Sequence, residues 1–245
     1  LISTTFYSVP FIPQVEATES TFYSGIGDGD IYCGTGSWNT THDYADGTAR
    51  PSETVLGVRS YYSATSTYYD SRGFLPFDTS GIPDTATITS AILNVSVSAL
   101  SQHVGTRNIA LVQTTQASTS TLVNADYNQC GTIDNPIEGA PRIVITSTGW
   151  AQFTLNATGR SWINKTGWTK LGIRAASLSC DDVAPTDGVQ ETSLSIESVE
   201  SANDPQLIIV WSGADTNIVF ETGMETGVLK PPWDRTEGEG TMQVS

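Results

Sequence analysis

A two-residue alternation of apolar and polar side chains is the dominant pattern along this chain. Its clearest stretch runs from Ala91 to Ala99, with Ala91, Leu93, Val95, Val97 and Ala99 on one face and Asn94, Ser96 and Ser98 on the other. That period marks a half-buried strand. Leu171, Ile173 and Ala175 alternate in the same way with Lys170, Gly172 and Arg174, and Ala151, Phe153 and Leu155 with Gln152 and Thr154. Further strands are predicted at Val55 to Tyr62, Tyr68 to Phe77, Asn108 to Thr115, Ser193 to Glu197 and Gln206 to Trp211. Leu207 to Trp211 is continuously apolar, the pattern of a central strand covered on both faces. Pro76 removes a ladder donor from the middle of its strand and predicts an edge or a bulge. A helical turn is expected within Gly159 to Lys165, and residues 116–142 form a long polar connection. Trp150, Trp162, Trp168 and Trp211 lie among apolar neighbours and are assigned to the core.

About eight or nine strands separated mostly by short turns predict an all-β fold: a two-sheet antiparallel β-sandwich of jelly-roll type over residues 21–212. Residues 1–20 read as an extended N-terminal arm, apolar and punctuated by Pro10 and Pro13. Residues 213–245 read as a linker and partial second β element, a C-terminal extension too short to build its own core. Lys and Arg total 11 against 26 Asp and Glu, a formal charge of −15 that repels a polyanion and argues against nucleic acid as a direct partner. No run reaches the ~18 apolar residues of a bilayer-spanning helix, so membrane insertion is not expected.

The chain offers little enzyme chemistry. Its two histidines, His42 and His103, belong to no HExxH, and no GxSxG is present. His42, next to Asp43 and near Asp46, is expected to be a solvated loop residue. Calcium is the best small-ligand expectation, because hard carboxylate oxygens on flexible turns suit it. Asp28 with Asp30 and Asp181 with Asp182 are the candidate pairs, the alternative being solvated turn acids. Trp38, Tyr44 and Tyr127 are candidate platforms for stacking on sugar rings, whereas the pairs Tyr61-Tyr62 and Tyr68-Tyr69 fit cross-strand packing. A Cys130–Cys180 disulfide would close a loop of about 50 residues, worth roughly 4 kcal/mol. Three separate thiols, including Cys33, fit the spacing equally.

The segment Arg72-Gly73-Phe74-Leu75-Pro76-Phe77-Asp78, the turn Ser80-Gly81-Ile82-Pro83 and the run Ala86-Thr87-Ile88-Thr89-Ser90-Ala91-Ile92-Leu93 resemble the DNRLRE-type domain. Gly149 to Leu155, Trp162, Gly167 to Ile173 and Pro205-Gln206-Leu207 continue the likeness over about residues 20–212. The resemblance implies a jelly roll related to family-6-like carbohydrate-binding modules, found in secreted, cell-surface and phage structural proteins. It adds Glu16, Glu19 and Asp204 as a third calcium option, since such modules often hold a structural calcium near their chain ends. Phe220 to Glu225, Trp233 and Thr241 to Ser245 resemble the opening of a lectin-like jelly roll. The expected function is a non-catalytic structural or adhesive module at an extracellular, cell-surface or virion exterior. Its expected partners are further copies or other subunits of the assembly, and surface polysaccharide. The alternative is a carbohydrate-binding module of a larger secreted enzyme.

Overall fold

A computed structural model describes residues 16–51, 53–101, 106–186 and 191–213. The arm before Glu16 and the extension after Gly213 lie outside the described residues, as do His103 and the lectin-like segment. Twelve strands run in chain order: β1 (Ala17–Tyr23), β2 (Gly29–Thr35), β3 (Thr48–Pro51), β4 (Val55–Tyr62), β5 (Tyr68–Asp78), β6 (Thr87–Leu100), β7 (Asn108–Gln113), β8 (Ile143–Val144), β9 (Gly149–Thr154), β10 (Trp168–Ala175), β11 (Thr192–Glu197) and β12 (Gln206–Ser212). Two short helices interrupt them, α1 (Trp38–His42) and α2 (Ala157–Ser161). Each begins where a polar side chain caps it: Ser37 accepts from Thr40 N, and Asn156 accepts from Gly159 N at 2.9 Å. The Asn156 cap starts α2 two residues earlier than the pattern predicts.

Every registered pairing is antiparallel, and the fold is all-β and sandwich-like. Hydrogen bonding is continuous in the order β1-β12-β6-β11-β4-β5-β10-β7-β8, with β2 joining β3 to β5 and β9 lying on β6. The sandwich-like fold is thus hydrogen-bonded as one curled sheet. Strand β6 carries much of the curl by changing partners along its 14 residues: β12 at Thr87 to Asn94, β9 at Ile92 to Val97, β11 at Val97 to Leu100. Register shifts at Ser195/Ile196 and Val210/Trp211 add the local bend that an extra residue imposes.

The inward rows are those the alternation predicts. Leu93, Val95 and Val97 of β6 meet Leu171 and Ile173 of β10, Phe153, Leu75 and Ile209 in one cluster, each at 0–1% exposure. Burial of each such side chain is worth about 1.5–3 kcal/mol. Ala99 leaves the row and faces solvent, because the shifted register with β11 falls beside it.

Three expectations are corrected. Strand β12 alternates: Leu207 and Ile209 are buried, Ile208 and Val210 on the other face are only partly covered, and Trp211, beyond the register shift, packs at the margin of the core. Pro76 lies in an interior, regularly paired stretch opposite Lys170. Its missing N–H falls between the last β2–β5 pair, Gly29–Phe74, and the Ser24–Phe77 bridge, so no ladder bond is lost there. Trp150 is 54% exposed on β9 and is not a core residue. Trp150→Thr is accordingly expected to shift unfolding free energy by less than about 1 kcal/mol in urea titration.

Candidate functional site

Two buried arginines organise one face of the fold. Arg72 of β5 and Arg174 of β10 point away from the main core, yet both are 0% exposed. Alternation assigns Arg174 to a polar face; connections that pack over that face bury it instead. Arg174 donates to Cys130 O at 3.3 Å, Thr132 O at 2.7 Å and Ile133 O at 2.9 Å in the connection after β7, and to Ser179 O at 2.6 Å. Arg72 donates to His42 O at 2.7 Å and Tyr127 O at 3.2 Å. Asp70 supplies the countercharge. Its Oδ2 accepts from Arg72 Nε at 3.0 Å, Tyr127 OH at 3.1 Å and Ser179 Oγ at 2.8 Å, and Ser179 Oγ in turn accepts from Arg174 Nε at 3.1 Å. Burial, and then the Asp70 charge, push the Tyr127 phenol well above its ordinary value.

This network gathers the end of α1, the 3-10 turn Asn124–Gln129 with its following loop, and the π-type turn Ala176–Cys180. They converge on His42, which is fully buried and not a solvated loop residue. Its Nε2 lies 2.7 Å from Ser179 O, and its ring stacks on Trp38 with centroids 5.1 Å apart. On the other side, Nδ1 faces Asp43 Oδ1 at 2.8 Å, Asp182 Oδ1 at 3.4 Å and Asp134 Oδ1 at 3.7 Å. Trp38 Nε1 donates to Asp182 Oδ1 at 2.9 Å.

The expected ligand residues are dispersed by this arrangement. Trp38 is 6% exposed and Tyr127 0%, with the Arg72 guanidinium 4.1 Å above the Tyr127 ring, so neither is a sugar platform; Tyr44 is open at 46%. Asp28 is buried, bonded by Ser24 Oγ at 2.6 Å and Val199 N at 2.9 Å, and its carboxyl is pushed up to about 7, chiefly by burial. Asp30 is held by Arg50 Nη2 at 2.5 Å, Gly57 N at 2.9 Å and Ser71 Oγ at 2.5 Å. Asp181 turns to Arg142, which holds its carboxyl below the ordinary value, while Asp182 turns to His42. The two acids of each pair turn to different partners, Asp28 to Ser24 and Val199 and Asp30 to Arg50, Asp181 to Arg142 and Asp182 to Trp38 and His42, so neither pair is arranged to share one calcium. Glu16 and Glu19 are exposed along the β1 edge, and Asp204 is half-buried after the β11 loop. Cys33, Cys130 and Cys180 are free, buried thiols. In place of the Cys130–Cys180 bridge, Cys130 packs with Ile31, Phe74, Val112 and Tyr127, and Cys180 packs with Ala110 and Ala176.

A cleft of about 260 Å³ opens on β2, β3, β4 and β5, lined by Tyr32, Arg50, Arg59, Tyr61, Tyr69 and Ser71. Register explains the row: Tyr32 opposes Ser71, Ser71 opposes Arg59, and Tyr61 opposes Tyr69, and directly opposed residues share a face. Tyr61 and Tyr69 stack with centroids 4.9 Å apart, and Tyr62 meets Tyr68 at 4.6 Å, the cross-strand packing expected of the tyrosine pairs. Arg50 lies 5.3 Å over the Tyr32 ring and is paired with Asp30. No carboxylate pairs with Arg59 among the described residues. A second groove of about 290 Å³, lined by Gln113, Thr115, Gly131, Thr132, Ile137 and Trp162, has no charged side chain. The sequence hinted at the first cleft only through its two tyrosine pairs; β3 and Arg50 carried no strand signal. No family model matches the chain, and no curated protein matches it.

Proposed function

We propose that this chain is a non-catalytic adhesive module of an exterior assembly, and that it grips surface glycans through the Tyr32–Arg59–Tyr69 cleft. The observation that carries this reading is the lining itself. Flat phenol rings stack on the apolar faces of sugar rings, and a guanidinium such as that of Arg59, with which no carboxylate of the described residues pairs, recognises a sugar carboxylate through paired hydrogen bonds. In a chain of net charge −15, a cationic aromatic cleft favours an acidic glycan over a neutral one. Its volume is at the small end of ligand pockets, which suits one sugar unit presented by a longer chain. The resemblance of residues 72–93 to the DNRLRE-type domain supports the exterior setting.

Titration of the full chain with uronic-acid oligosaccharides tests the reading. Saturable binding is expected, weakened at least tenfold by Tyr69→Ala and by Arg59→Gln, about 1.4 kcal/mol each. Neutral oligosaccharides of equal length should bind more weakly and be indifferent to Arg59→Gln. Absence of binding across a broad glycan array, or binding that ignores both substitutions, removes the reading.

A further inference from the structure

The imidazole of His42 is held between a backbone carbonyl on one side and a group of carboxylates on the other. Ser179 O can only accept, so the 2.7 Å contact requires the proton on Nε2. Arg174 Nη2 also lies 3.3 Å from Nε2, but its two protons go to the nearer Ile133 O at 2.9 Å and Ser179 O at 2.6 Å. Nδ1, on the far side of the ring, faces three carboxylate oxygens. One of these, Asp43 Oδ1, is at hydrogen-bond distance; those of Asp182 at 3.4 Å and Asp134 at 3.7 Å are too far for good hydrogen bonds. The Asp182 spacing matches a coordination edge, since a tetrahedral ion with bonds of ~2.0–2.1 Å separates its ligand atoms by roughly 3.4 Å, and the Asp134 spacing is somewhat longer. The donor atoms of His42, Asp43 and Asp134 all fall within 4.8 Å of one another. An outer shell is also in place, since Nε2–H donates to a backbone carbonyl and Trp38 Nε1–H orients Asp182, the arrangement that fixes metal-binding imidazoles and carboxylates.

We propose that His42 Nδ1 and the carboxylates of Asp43, Asp134 and Asp182 form a site for a divalent transition-metal ion of the zinc class. The imidazole donor selects such ions over calcium and magnesium, which prefer oxygen throughout. The three acids are 45–58% exposed, so an ion reaches them from solvent while the histidine anchors it from beneath. Bound there, it would tie the end of α1 to the loops at 134 and 182, which no strand pairing joins.

Calorimetric titration of the untagged, chelator-treated full chain with Zn²⁺ is expected to give one site per chain and to raise the unfolding temperature. Co²⁺ should bind with the visible absorption of a tetrahedral complex. Asp134→Asn and Asp43→Asn change exposed side chains and should leave the apo fold intact, verified by circular dichroism, while each lowers Zn²⁺ affinity at least tenfold. No Zn²⁺ binding would overturn the proposal. Binding unaffected by both substitutions, or Ca²⁺ bound more tightly than Zn²⁺, would overturn it equally.

Discussion

Replacing Asp70 with alanine is expected to destabilise the sandwich by about 3–5 kcal/mol, the usual penalty for removing one partner of a buried ion pair. Asp70 is 0% exposed and, among the described residues, is the one carboxylate placed between Arg72 and Arg174, both themselves fully buried. Its removal leaves two buried guanidiniums without a shared countercharge, and burial and the Arg72 charge already lower the Arg174 value. In a domain of this size the change corresponds to a fall of about 6–20 °C in the unfolding midpoint. Arg142 is the control. Its pairs with Glu138 and Asp181 are short, at 2.7 and 2.5 Å, but the side chain is 34% exposed, and Arg142→Ala should cost no more than about 1 kcal/mol. Equal effects of the two substitutions in denaturant titration would refute the view that Asp70 neutralises the network.

Raising the pH from about 4 to about 8 is expected to weaken the folded state through Asp28. The carboxyl ionises near 3.8 in the unfolded chain and at about 7 in the folded one, because burial outweighs the help from Ser24 and Val199 and Glu200 adds repulsion. Between those values the folded chain keeps a proton that the unfolded chain has released. The stability present below pH ~4 is therefore lost as pH rises, and the loss is complete above about 7. Three units correspond to about 4 kcal/mol. Asp78 and Asp181, held low by Ser80 and Arg142, act with the opposite sign and only at more acidic pH. Asp28→Asn keeps the shape without the ionisation, so its stability should be flatter across the window and higher than the parent's at pH 8. Parallel pH profiles for the two proteins would rule out this assignment.

Strand positions were legible in the sequence because a two-residue period reports directly on faces. Ala91 to Val97, Leu171 with Ile173, and Ala151 with Phe153 all lie where the alternation puts them. What the period does not carry is whether the second face is covered. Arg174, opposite an apolar row, reads as solvated until the connections around 130–133 and 176–180 are packed over it. Strand β12 shows the converse, an unbroken apolar run whose outer face stays partly open. Of the acidic pair at 181 and 182, only Asp182 reached the histidine cluster. Asp181 was diverted by Arg142, a partner 39 residues away that local sequence cannot reveal. His42 was missed for a related reason. Trp38 stacks on it within α1, but its full burial also needs Ser179, 137 residues on, a contact made only after the chain closes.

Arg174 grips its neighbours by their main-chain oxygens at 130, 132, 133 and 179, and Arg72 does the same at 42 and 127. A clasp of that kind is indifferent to which side groups the clasped segments display. The two guanidiniums thus give the scaffold interchangeable loops: the outward residues at 132–134 and 43 can be rewritten for a new ligand while the frame beneath them keeps its shape.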